Sequence, residues 1–284
     1  MEVIVGKLSG FCPGVKRAVD KTLETSKNYN NVYCLGELVH NEQVIENLKK
    51  NGVKFVYDIK EIPNNQVVIF RAHGVKETTY KIAEEKGLKI IDLTCGRVRI
   101  IHEKVKSKKD DSFIIIIGEQ LHPEIIATKD FAGKNSIIVS NEDEIIDAYK
   151  KFEESKLNKV YVVVQTTFNL KKFKELSKEI EDNFCEANVI IDNTICNATE
   201  ERQIETEKIT KGVDKVIVIG GKNSANTRKL VEISKKNCKN VYHIQVREDL
   251  KEISFLDSDK VCIVAGASTP NTIIEDVKKY LMER

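Results

Sequence analysis

Short β-branched runs alternate with stretches of helical periodicity along almost the whole chain. The runs predict strands at Val3–Leu8, Val32–Leu35, Val67–Arg71, Ile90–Leu93, Phe113–Ile117, Ile137–Ser140, Val160–Val164, Val189–Asp192, Val216–Ile219, Val241–Ile244 and Val261–Ala265. The intervening stretches predict helices such as Val15–Ser26, Glu42–Lys50, Glu77–Lys86, Asp143–Phe152, Lys171–Asn183, Thr199–Thr210 and Thr227–Lys236. Gly52 and Gly87 fall just past two of them, where a helix commonly ends in a left-handed residue. Strands alternating with helices imply an α/β fold of mainly parallel sheets covered by helices.

Three cysteines share one setting in this pattern. Cys12 follows the first strand within Gly10-Phe11-Cys12-Pro13-Gly14 and precedes a helix. Cys95 follows Ile90–Leu93, and Cys196 follows Val189–Asp192, each again just before a helix. Their roughly even spacing suggests three similar α/β units, each sending one sulfur to a common centre. No low-complexity linker separates the units, so the cysteines set the boundaries: 14–95, 96–193, and 194–284 completed by the N-terminal strand 1–13. A second repeat supports this. The stretch from Ile117-Gly118 to His122-Pro123-Glu124 resembles Ile219-Gly220 to Ser224-Ala225-Asn226, and both resemble Ala265-Gly266-Ala267-Ser268-Thr269-Pro270. Each is a buried strand, a Gly, a polar loop and a helix start. In parallel sheets these strand ends form the ligand edge, where helix N-termini present free N–H groups to anions.

Composition narrows the classes. Lys and Arg number 46 against 44 Asp and Glu, so no net charge draws the chain to nucleic acid or an anionic membrane. Aromatic residues make up 6% with no Trp, a poor match for a base-stacking groove. No apolar run approaches the ~18 residues of a membrane span. Met1–Val5 lacks the basic start of a secretory signal, so the seven cysteines are expected to be reduced thiols in a soluble cytoplasmic protein.

Cys34 and Cys262, inside strands, are expected to be small buried hydrophobes, as are Cys185 and Cys238. Thiols gathered from distant segments suit zinc or an iron–sulfur cluster, and spacing does not choose between them. Three ligands rather than four leave one metal position open for chemistry. His40, His73 and His122 follow strand ends, where they suit phosphate recognition or zinc ligation. His102 and His243 are expected to be structural. Ser224, Asn226 and Ser268 add neutral donors at helix starts. Glu124 suits either favourable placement on a helix dipole or general-acid catalysis. Thr166 and Thr167 suit either helix capping or a hydrogen bond to a substrate hydroxyl. No dinucleotide or P-loop fingerprint occurs, so electrons, if the chemistry uses them, would come from a partner protein. On the residues alone, a zinc hydrolase with Glu124 as base and an iron–sulfur sensor module remain alternatives to an iron–sulfur reductase.

Taken together, Gly10–Val15, Val39-His40-Asn41, Ala72-His73-Gly74, Asp92–Cys95, His122-Pro123-Glu124, Gln165-Thr166-Thr167, Ile195–Thr199, Asn223–Asn226 and Gly266–Pro270 resemble the 4-hydroxy-3-methylbut-2-enyl diphosphate reductase family. Nine motifs in register cover essentially the whole chain. The resemblance implies three pseudo-symmetric α/β domains around a central cluster site, with one [4Fe-4S] cluster on Cys12, Cys95 and Cys196. It implies reductive removal of the substrate hydroxyl as water, giving isopentenyl and dimethylallyl diphosphates, the last step of the methylerythritol phosphate route to isoprenoids. Glu124 would deliver the proton, and Thr166 would hold the hydroxyl network. His40, His73, His122, Ser224, Asn226 and Ser268 would bind the diphosphate. The implied partners are the allylic diphosphate substrate and a ferredoxin or flavodoxin as donor to a monomer. Two departures stand out: Gly96-Arg97 follows Cys95 where members often have Pro, and Ala225 stands where members often have Ser.

Overall fold

The computed structural model describes residues 1–284, in which twelve strands and ten α-helices alternate. The first third comprises β1 (Glu2–Val5), α1 (Pro13–Asn28), β2 (Val32–Leu35), α2 (Glu42–Lys50), β3 (Val53–Val56), β4 (Val67–Phe70), α3 (Glu77–Glu85) and β5 (Lys89–Asp92). Next come α4 (Gly96–Lys108), β6 (Phe113–Ile117), α5 (Pro123–Ala132), β7 (Ser136–Val139), α6 (Asp143–Ser155), β8 (Lys159–Val164), α7 (Leu170–Asn183) and β9 (Asn188–Ile191). The last third holds α8 (Asn197–Ile209), β10 (Lys215–Ile219), α9 (Ala225–Asn237), β11 (Val241–Ile244), β12 (Lys260–Ala265) and α10 (Asn271–Met282). No helix is long and apolar enough to cross a membrane.

The strands form three four-stranded sheets, parallel throughout. Read from the edge strand that leads to a cysteine, their orders are β1-β12-β10-β11, β5-β4-β2-β3 and β9-β8-β6-β7. The order is the same in all three, with one circular shift: the fourth strand of the last sheet is β1, supplied by the N-terminus. Glu2–Val5 pairs in register with Lys260–Ile263.

Burial follows position in the sheet. Phe113–Ile117 of β6 is buried at every residue, and β4 likewise. A central parallel strand is covered by helices on both faces and so reads as an unbroken apolar run. Each such Ile, fully removed from water, contributes about 1.5–3 kcal/mol to the gross driving force. The cysteine-leading strands β1, β5 and β9 are edge strands and only half-buried.

Two compact units arise from this arrangement. One holds Met1–Glu24, Val39–Gly52 and Asn197–Arg284; the other holds Thr25–Leu38 and Val53–Cys196. The hydrophobic pattern missed β3, a four-residue edge strand that starts one residue after the Gly52 turn and whose Lys54 interrupts the apolar run. Cys34, Cys238 and Cys262 are buried as expected, and burial pushes the Cys34 and Cys262 thiols up to about 12. Cys185 is a correction: it is exposed, because Phe184 beside it fills the core.

Candidate functional site

In the unit containing Cys95 and Cys196, polar residues collect just beyond the strand ends. Cys95 lies three residues past β5, and its N–H donates to the Ala72 carbonyl at 2.9 Å. Cys196 lies five residues past β9, and its N–H donates to the Thr166 carbonyl at 3.0 Å. Ala72 and Thr166 are each the second residue past the neighbouring strand, β4 or β8.

Thr166 also faces a carboxylate. Its N–H and hydroxyl donate to Glu124 at 2.6 and 2.7 Å, one to each oxygen. Glu124 sits in the first turn of α5 behind Pro123 and is almost fully buried. Burial pushes its carboxyl up to about 7, against the pull of the two Thr166 bonds. A carboxyl so poised is divided between protonated and ionised forms at neutral pH, as a general acid must be.

His122 caps α5, its Nδ1 accepting the Glu124 N–H at 3.2 Å. A neutral imidazole that accepts at Nδ1 carries its proton on Nε2, which makes that nitrogen a donor. The His73 ring stands edge-on to it, centroids 5.4 Å apart. Thr167 accepts a bond from Gln165 Nε2 at 2.9 Å. Neither Thr166 nor Thr167 caps a helix: α7 begins at Leu170, and Asn169 accepts the Lys172 N–H at 3.0 Å in that role. Gln165 is a residue whose role the sequence did not reveal. Its Oε1 accepts the Glu119 N–H at 3.0 Å, tying the loop before His122 to the end of β8. A polar side chain just past an apolar strand was the only signal.

In the other unit, Cys12 lies seven residues past β1, and its N–H donates to the Ala267 carbonyl at 3.1 Å. Ala267 is again the second residue past the neighbouring strand, β12. The Val15 N–H at the start of α1 points to the Cys12 sulfur at 3.5 Å. Ser224 caps α9, accepting the Thr227 N–H at 3.3 Å. Ser268 donates its hydroxyl to the His40 carbonyl at 3.2 Å. Gly221 packs against the same carbonyl, where a Cβ would lie only 2.4 Å from the oxygen, so any larger residue would displace His40. Asn226 stands as far past β10 as Glu124 stands past β6. It is 3% exposed, and neither polar atom of its side chain has a protein partner.

These groups suit the ligands that the sequence suggested. Cys12, Cys95 and Cys196 are each half-buried, at a helix start and outside any disulfide, and a thiolate is a soft donor of the kind that iron–sulfur clusters and zinc take. Asn226 offers a buried donor and acceptor without a protein partner, an arrangement that costs about 1–3 kcal/mol unless a ligand satisfies it.

Comparisons with known proteins agree over the full length. The LytB protein family model matches residues 3–282. A relative from Aquifex aeolicus, named 4-hydroxy-3-methylbut-2-enyl diphosphate reductase, is 40% identical over 288 residues, covering 100% of this chain and 96% of its own. One of the same name from Clostridium acetobutylicum is 40% identical over 99% of this chain, but the match spans only 44% of that longer protein. The solved structure of the Plasmodium falciparum E-1-hydroxy-2-methyl-but-2-enyl-4-diphosphate reductase superposes with a TM-score of 0.88 at 30% identity, over 99% of this chain and 87% of that one. A second solved structure, of a reductase described as the terminal enzyme of the non-mevalonate pathway, gives 0.72 at 40% identity over 100% of both chains. With one family model spanning nearly every residue and relatives this similar, the chain belongs to the LytB protein family.

Proposed function

We propose that this chain reduces 4-hydroxy-3-methylbut-2-enyl diphosphate, the substrate in the names of its relatives, to isopentenyl and dimethylallyl diphosphates. Two electrons and two protons cleave the C–O bond, and the hydroxyl leaves as water. Cys12, Cys95 and Cys196 would hold one [4Fe-4S] cluster, which supplies electrons and a Lewis-acidic iron when bound. A ferredoxin or flavodoxin is the proposed donor to a monomeric, cytoplasmic enzyme. The same reading divides the chain at 14–95, 96–193 and 194–284 with 1–13, which the shared strand order supports.

The observation that carries this reading is the position of Thr166. Its carbonyl accepts the Cys196 N–H while its N–H and hydroxyl hold Glu124. One residue thus links a ligand thiol to a proton donor. Glu124 delivers the proton, and Thr166 orients it and the substrate hydroxyl. His40, His73, His122, Ser224, Asn226 and Ser268 bind the diphosphate; the Nε2 donor of His122 and the unpartnered Asn226 amide have the required chemistry. The test is anaerobic purification with iron and sulfide counts, followed by turnover of the allylic diphosphate with a chemical reductant. Cluster-dependent formation of both products is expected. A colourless, zinc-containing chain that hydrolyses the diphosphate would replace this reading.

A further inference from the structure

The loop between β1 and Cys12 carries no regular structure, and two charged side chains of one helix hold its backbone. Glu205 of α8 accepts the Lys7 N–H at 2.8 Å and the Leu8 N–H at 2.9 Å, one on each carboxylate oxygen. One turn earlier, Arg202 donates Nε to the Leu8 carbonyl at 2.8 Å and Nη2 to the Gly10 carbonyl at 2.9 Å. Its remaining nitrogen, Nη1, donates to the Ala198 carbonyl at 3.4 Å. Arg202 is 5% exposed. Gly10 lies at φ +104°, and a Cβ there would meet the Asn271 side chain at 2.3 Å, so the chain turns sharply where the guanidinium grips it. Cys12 follows two residues later.

We propose that Arg202 and Glu205 are positioning residues for Cys12: together they set the course of Lys7–Gly10 and so present the thiolate to iron. The inference rests on Cys12 being a cluster ligand. Backbone groups bonded to ionised partners are held roughly twice as strongly as by neutral ones. A loop fixed in advance loses little freedom when its thiolate ligates, whereas a wandering loop lets the ligand leave. Arg202 is nearly wholly buried, and two of its three guanidinium nitrogens donate to carbonyls of the loop itself.

The test compares anaerobic holoprotein of wild type, Glu205→Gln, Arg202→Met, Arg202→Lys and Glu201→Gln, the last on the exposed face of α8. Three quantities are read: the rate of iron loss to a ferrous chelator, amide hydrogen exchange over residues 7–12, and the thermal midpoint. Glu205→Gln is expected to speed exchange at Lys7 and Leu8, and iron loss, by about tenfold each. Its midpoint should stay with that of Glu201→Gln. Arg202→Met should lose iron faster still, with Arg202→Lys in between. Wild-type iron retention in Glu205→Gln, with or without faster exchange, overturns the inference. So does iron loss confined to Arg202→Met and matched by a lowered midpoint. A wild-type chain that takes up no iron brings down the cluster reading itself, which is a distinct result.

Discussion

The turn into Cys95 and the loop into Cys12 end in equivalent hydrogen bonds, to Ala72 and Ala267, but reach them by different means. The first is short and local. Leu93 N–H continues the ladder to the Phe70 carbonyl at 3.0 Å, and the Thr94 N–H donates to Asp92 at 2.9 Å. Tyr80, only twelve residues from Asp92 in the chain, holds the same carboxylate at 3.0 Å. The Cys12 loop is more than twice as long and is held by Arg202 and Glu205, nearly two hundred residues away in sequence. A short turn off a strand inherits its position from the sheet, whereas a long one has enough conformational freedom to need side chains from elsewhere. In the Cys95–Cys196 unit, Thr166 and Glu124 lie beside the Cys196 turn, which Thr166 holds through its carbonyl.

The largest expected effect tests that division. Glu124→Gln should keep full iron content, since it touches no thiol, yet lose about 10²–10⁴-fold in turnover. Iron counts and steady-state assays check this, and full activity with a protein electron donor would place the proton source elsewhere. Second is pH. Because burial raises the Glu124 carboxyl from 4.5 to about 7, its protonated form is the one the fold favours. The stability it lends is complete below pH 4.5, falls as pH rises to about 7, and is constant above. Relative to Glu124→Gln, wild type should lose on the order of 3 kcal/mol across that window, measured by denaturant unfolding at several pH values. Equal pH slopes in the two proteins would show the carboxyl is ionised without penalty.

The smallest effect sharpens the contrast with the clamp. Lys104 of α4 pairs with Asp192, beside β9, at 2.6 Å, but both side chains are partly exposed. Tyr161 also donates to Asp192, at 2.5 Å, and remains in place without the lysine. Lys104→Met should cost under about 1 kcal/mol and leave iron loss at the wild-type rate. Faster iron loss would mean that the Cys196 turn also depends on distant charge.

Much of this organisation is legible in local sequence. Phe113–Ile117 could only be a strand buried on both faces, and a cysteine between each edge strand and the next helix was visible three times. The Ile117–Glu124 and Ile219–Asn226 repeat placed a helix start after each polar loop, and the structure puts His122 and Ser224 at the caps of those helices. Less visible were features set by partners remote in the chain. Thr166 looked as suited to capping as to ligand work until Asn169 proved to be the cap. Nothing local to Arg202 or Glu205 distinguishes them from the solvated charges of any amphipathic helix.

By itself, then, the sequence determined the elements apart from β3, their parallel character and the chemical types at the strand ends, because hydrophobic period and turn chemistry act over a few residues. Only the tertiary structure decided that β1 closes the last sheet, that Glu124 is dry enough for burial to push its carboxyl up to about 7, and which charges grip the Cys12 loop. Those outcomes depend on burial and on contacts between distant segments, and no local pattern encodes either.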